Sequence, residues 1–278
     1  MRVVLAVARD LFREAASRRW FLALGLIITL LLCGAGLTLR MDVVDGALAA
    51  TRLFGRVIHT DIRSVDVALR PVFRAAAYVI FYGGLAFGVL ACSDFAPSLL
   101  APGRIEHLLA LPVQRWELLA GTFLGVLGLA SAGALYGAGG LTLLLAVKTG
   151  VWTARPILAA LIAGVTFAGI YGGMLVAALF ARSAALSAAT GGALVVSGII
   201  AGYRDSISPF FESGVARSLF QAVTLLLPRV STLADASADL AASAPVDTGI
   251  LASQLLGLAV FALAALAFGV FRFEQKDF

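Results

Sequence analysis

A chain that did its own chemistry would have to group its polar side chains, and this one keeps them apart. A P-loop sets a lysine behind a run of glycines, whose backbone amides cradle phosphate while the lysine reaches the outer oxygens. The only lysines are Lys148 and Lys276, and neither follows such a run. The chain is therefore not expected to hydrolyse ATP by itself. A proton or ion relay at membrane depth needs ionisable groups there. Neither histidine, His59 or His107, falls in an apolar run, and no aspartate or glutamate does. That argues against a proton-coupled secondary transporter. No metal-ligand cluster stands out, and no catalytic residue or cofactor is expected in this chain. Cys33 and Cys92 lie at different depths in two apolar runs and read as free thiols acting as small apolar residues.

One polar segment has an internal design, Ser93 to Glu117. Pro102 and Gly103 break the chain, Arg104 to Leu111 can make two helical turns, and Pro112 stops them. Ile105, Leu108 and Leu109 form an apolar side with Arg104, Glu106 and His107 beside it. A soluble partner could grip such a helix. A loop that merely packs on the bilayer surface would read the same way.

The elements that hold this segment are set by hydrophobicity. Of the 278 residues 61% are hydrophobic and only 13% charged, against about 25% charged in soluble domains. Six stretches carry no charge at all: 20–39, 75–93, 118–147, 156–181, 183–203 and 248–271. Crossing a bilayer core takes about 20 apolar residues, and a helix satisfies every backbone group within itself. The expected fold is an all-α membrane protein of six transmembrane helices, a single domain over 1–278. The net charge of +5 is dispersed. It suits a surface facing anionic lipid and not a nucleic acid.

Residues 1–19 read as an amphipathic helix lying along the membrane surface. Val4, Leu5, Ala8, Leu11, Phe12 and Ala15 share one face, and Arg2, Arg9, Asp10, Arg13 and Ser17 the other. Arg18 and Arg19 end the stripe, and Trp20 begins the first span as an interface anchor. The apolar run that follows is too long for a signal peptide, so it reads as an uncleaved span. Five arginines in the first 19 residues place this end in the cytoplasm. Six spans return the C-terminus to that side and put 94–116 inside. Segments 40–74 and 204–247 then lie outside, the first as one or two surface helices. Within the second, Ser218 to Pro228 is charge-free but too short to cross. It reads as a re-entrant or interfacial element before the sixth span. Gly121, Gly125, Gly133 and Gly137 have the small-xxx-small spacing that lets helices approach closely, although glycine is common throughout this chain.

Gly103 through Arg115, followed by Leu118-Leu119-Ala120-Gly121, resembles the signature of ABC-2-type exporter permeases. That family begins with an elbow helix ending in a basic pair and an aromatic residue, as at Arg18-Arg19-Trp20. Its chains often finish in a pattern similar to Phe273–Asp277. Arg104 stands where the family usually has threonine, Thr122 where it has lysine, and the acidic residue before Gly103 is missing. The resemblance implies a membrane subunit in the inner, cytoplasmic membrane, with both termini cytoplasmic. A separate ABC ATPase carrying ATP and magnesium would dock on a coupling helix over 97–111. Arg104, Ile105, Glu106, His107, Leu108, Leu109 and Arg115 would form that contact. A second permease subunit, identical or not, is also implied. The alternative reading is a non-transporting scaffold or mechanical transmitter driven by such an ATPase.

Overall fold

Each charge-free run becomes a helix, and the charged segments between them become the turns, a small sheet and a re-entrant hairpin. The computed structural model describes residues 2–275 apart from 18, 45–46, 54–55, 60–62, 111–112, 151 and 212–213; the side chains of 20, 39–66, 68, 107 and 109 also lie outside the description. Arg18, Leu111, Pro112 and Asp277 of the sequence reading are therefore outside the described residues, as are the side chains of Trp20, His107 and Leu109.

Helix α1 (Arg2–Ser17) leads into α2 (Arg19–Thr38), the first span. A small sheet follows, then α3 (Val65–Cys92), α4 (Phe95–Leu99) and α5 (Arg104–Leu109). Three long helices come next: α6 (Arg115–Thr149), α7 (Arg155–Ala181) and α8 (Ala184–Gly202). After α9 (Arg204–Ile207) and one 3-10 turn come α10 (Val215–Leu226), α11 (Val230–Ala241) and α12 (Thr248–Glu274). Among the described residues six helices are long and apolar enough to cross a membrane: α2, α3 continuing into α4, α6, α7, α8 and α12. The chain is an all-α membrane protein in its spanning part. Its two faces are called here the elbow side, where α2 begins, and the sheet side, where α2 ends.

The segment after α2 corrects the expectation of surface helices. It forms strands β1 (Leu39–Val44), β2 (Ala47–Leu53), β3 (Arg56–His59) and β4 (Arg63–Ser64). β1 pairs antiparallel with β2 from Leu39↔Leu53 to Val44↔Ala47. β3 and β4 share the other edge of β2, through Leu53↔Arg56 and Ala47↔Ser64. Val43, Val44, Thr51, Val57 and Ile58 are β-branched, which favours a pleated chain. The sequence between β1 and β2 is Asp45-Gly46, a strong hairpin signal.

Turns on the spans follow from single residues. Gly150 ends α6 at φ 72°, the left-handed conformation glycine adopts without strain. Arg182 takes the same role after α7 at φ 50°, and Ser183 then caps α8 by accepting from the Leu186 amide.

The glycines of α6 form a seat. A methyl group on Gly121 would meet Val7 Cβ at 2.6 Å, one on Gly125 would meet Ala8 Cα at 3.2 Å, and one on Gly128 would meet the Phe12 ring at 2.7 Å. Further along, Gly133 faces Leu24 and Gly140 faces Leu32, while Gly137 faces Ile80 of α3 with Ile28 of α2 beside it. So α1 packs along the first part of α6 and α2 along the rest, both running parallel to it. Without a hydrophobic force between helices in lipid, such close approach is what van der Waals packing can use. The apolar stripe Val4, Ala8, Leu11 and Ala15 is buried in this seat.

Helix α7 is the centre of the bundle. Ile170, Tyr171, Met174, Leu175 and Ala178 are fully buried, and α3, α6, α8, α11 and α12 surround it. The re-entrant element is real: α10 and α11 are joined through Pro228, and α11 is inserted among α3, α7 and α8. Val230 and Ala234 are fully buried. The α11 hydroxyls are satisfied by neighbouring carbonyls: Ser231 donates to Ile199 at 3.1 Å and Ser237 to Ala159 at 3.0 Å. Buried hydroxyls need such partners.

Candidate functional site

The loop singled out by sequence sits on the elbow side as a built junction. Phe95, Ala96, Pro97 and Leu99 of α4 are buried in the bundle. The chain then turns at Gly103, whose φ of 82° is open to glycine and strained for other residues. Helix α5 follows. Ile105 is only 2% exposed and belongs to the core, and Leu108 packs partly buried against the same core. The apolar side of α5 therefore faces its own chain. Arg104 and Glu106 are exposed, with Pro102 and Gly103 beside them. Ile105 and Leu108, expected from the resemblance in the partner contact, seat the helix on the bundle.

Two arginines tie the junction together. Arg104 Nη2 donates to Glu14 Oε2 of α1 at 2.9 Å. The pair is partly exposed, so it orients α5 on α1 more than it stabilises the fold. Arg115, the first residue of α6, donates from Nη1 to the carbonyls of Phe273 at 3.2 Å and Glu274 at 3.1 Å. These are carbonyls of the last turn of α12, and a cation suits that end of the helix dipole. Gln114 caps α6 in a reciprocal capping box with Glu117, and Trp116 Nε1 donates to the Gln114 side chain. The start of α6, the end of α12, α1 and α5 thus meet at one end of the bundle. Arg19 is exposed at the start of α2.

A second polar group lies on the sheet side, and sequence reasoning missed it. Arg74 of α3 pairs with Asp239 of α11 at 3.1 Å, and Tyr78 donates to Asp235 Oδ1 at 2.6 Å. Tyr82 stacks on Tyr78 with ring centroids 6.3 Å apart. The helices run antiparallel here, so Arg74 and Tyr78 meet Asp239 and Asp235 in order. Both pairs are spaced i, i+4, which puts each on one helix face. That shared spacing was the available signal. It was obscured because both acids lie outside the charge-free runs, and α11 carries them back into the bundle.

Between α2 and α3 lies an apolar cleft of about 460 Å³, floored by α6 and α7. At its elbow-side end Phe21 touches Phe87 edge-to-face at 6.2 Å and Phe95 at 6.3 Å. Cys92 lines the cleft and is buried, while Cys33 is exposed; both are free thiols. Among the described residues no three His, Cys, Asp or Glu side chains gather to hold a metal ion.

No family model matches this chain, and no curated protein matches it.

Proposed function

We propose that this chain is the membrane-spanning permease subunit of an ATP-driven exporter of the ABC-2 type. The observation that carries the reading is the elbow-side junction. A short helix between the second and third spans is seated by Ile105 and Leu108, joined to an amphipathic N-terminal helix by Arg104–Glu14, and presents Arg104 and Glu106 outward. A separate ATPase gripping that exposed face would move α5. Through Glu14 the motion would reach α1, and through the glycine seat it would reach α6. The spans would then switch between two packed arrangements, biased by nucleotide on the partner. In this reading the elbow side is cytoplasmic, the membrane is the inner, cytoplasmic one, and a second permease subunit completes the pathway. Arg115 belongs to the frame that holds the junction, and Arg19 is an interfacial anchor at the start of α2.

The test is co-expression with a tagged ABC ATPase offered as the partner. The wild-type chain should co-purify with it, and Glu106→Arg, which changes only an exposed side chain, should lose it while folding normally. Equal recovery of the ATPase with both chains removes α5 from the interface. A second reading, secondary transport, draws on the Arg74–Asp239 and Tyr78–Asp235 pairs, since ionisable groups within a bundle are the parts of an ion relay. Asp235→Asn should abolish proton-coupled uptake in that case, with no dependence on an ATPase.

A further inference from the structure

We infer that α10 is a lipid-docking arm: its apolar face lies in the acyl chains of the leaflet on the sheet side, and its opposite stripe rests on the protein. The sequence sets the two faces. At 100° per residue Val215, Leu219, Ala222, Val223 and Leu226 share one side of α10, and Arg217, Gln221 and Thr224 share the other. A helix on a water-soluble core turns its apolar side inward. Helix α10 does the reverse. Thr224 is its one buried residue, with the hydroxyl donating to the Phe220 carbonyl at 2.7 Å, and Arg217 is half-buried. Val215, Leu219, Val223 and Leu226 are 50–85% exposed.

The roll of the helix is set at its far end. The hairpin turns at Pro228 into α11, and that turn is clamped on α8: a methyl group on Gly198 would meet the Pro228 carbonyl oxygen at 2.7 Å. Helix α11 is keyed into the bundle by Ser231 on the Ile199 carbonyl, Thr232 on Gln254 of α12 and Asp235 on Tyr78. Rolling the leucines of α10 inward would unseat this turn. The two arms of the hairpin therefore have different surroundings, protein for α11 and something apolar for the outer side of α10.

Depth and composition choose the occupant. Tyr203 follows α8 directly and is half exposed, as tyrosines at the headgroup level are. Gly198 lies more than a turn below it, about 7 Å along the helix axis. The hairpin turn thus reaches the depth of an interfacial helix, about 5–10 Å into the boundary between headgroups and acyl chains. Helix α8, on which α10 packs, exposes Val196 and Ile200 near that level, so the apolar surface of α10 continues that of a span. The face is aliphatic throughout. The aromatic and arginine anchors that carry most contacts between proteins are missing from it, and hydrocarbon needs none. The inference uses the spanning fold alone and does not rest on the exporter reading.

The test reads the surroundings of the face directly. Leu219→Cys, Leu226→Cys and Gln221→Cys, made singly in a Cys33→Ser, Cys92→Ala background, carry a nitroxide in the full chain, placed in phosphatidylcholine nanodiscs large enough for two copies. Collision rates with oxygen, which partitions into hydrocarbon, and with a water-soluble nickel chelate are compared with those from Leu263→Cys on α12 and Trp152→Cys in the sheet-side turn, both exposed positions. The oxygen-to-nickel ratio at 219 and 226 should exceed that at 152 at least about fivefold and approach that at 263, with 221 below 219. The labelled chains should melt like the background, because the replaced α10 side chains are exposed. Nickel collision at 219 and 226 equal to that at 152 puts the face in water and overturns the proposal. Exclusion of both reagents also overturns it: with dipolar broadening between the labels of two chains the face is a contact with a second copy, and without broadening it is packed within its own chain. No ATPase takes part in the measurement, so either result leaves the exporter reading to its own test.

Discussion

Adding one methyl group to Gly121 should loosen the elbow helix. The new Cβ would lie 2.6 Å from Val7 Cβ and 2.9 Å from the Val4 carbonyl oxygen, whereas carbon atoms rest comfortably at about 3.5–4.0 Å. Both obstacles are fixed to the α1 backbone, so no rotamer change relieves them and α1 must move away by about 1 Å. Overpacking of this kind costs about 1–3 kcal/mol. Alanine recovers about 0.5–1 kcal/mol over glycine in a helix interior, leaving a net loss of up to about 2.5 kcal/mol. Gly139 lies in the same helix, and a Cβ there meets nothing within 4 Å. Gly139→Ala should instead stabilise by about 0.5–1 kcal/mol. At about 2–4 °C per kcal/mol for chains of this size, Gly121→Ala should melt a few degrees or more below Gly139→Ala. A thiol-reactive dye can follow the transition through Cys92, which is 2% exposed, in a Cys33→Ser background. If the two variants melt together, α1 is not seated on α6 as described.

The sheet-side pairs should differ in worth. Tyr78→Phe removes a 2.6 Å bond to a carboxylate and should cost about 1–3 kcal/mol; Asp239→Asn, at a half-exposed ion pair, should cost under about 1 kcal/mol. Both are read from thermal unfolding in one detergent. Arg115→Gln should free the end of α12, raising amide exchange over its last turn about fivefold, the equivalent of ~1 kcal/mol, with the centre of the helix unchanged. Arg104→Glu should uncouple α5 from α1 by charge repulsion with Glu14, and Glu14→Arg in the same chain should restore limited-proteolysis protection of the loop.

The spans were legible because lipid forbids unpaired backbone groups, so a charge-free run of sufficient length has one solution. Their ends were less so. The run 75–93 belongs to a helix that begins at Val65, because Arg70 and Arg74 sit on its first turns with Asp239 to pair one of them. The re-entrant hairpin was readable from a stretch too short to cross and the proline after it. The strands β1–β4 read as helix from sequence because interleaved apolar and charged residues fit both periods; the β-branched residues and Asp45-Gly46 are the strand signals that this pattern masks. The glycines at 121, 125, 133 and 137 were visible, but their partners were not: nothing local says that α1 and α2 will be the ones to fill the seat. Ile105 shows the same limit. An apolar side on a short helix can face a partner or its own chain, and only the core it packs into decides it.

The exporter account is tested most directly by proximity at α5. A photoreactive amino acid in place of the exposed Glu106, in cells co-expressing the ABC ATPase proposed as its partner, should give a cross-link of the summed mass of the two chains. The same residue at exposed Trp152 on the sheet side should give none. A well-expressed chain that forms no adduct from position 106, or an equal adduct from position 152, would contradict the account.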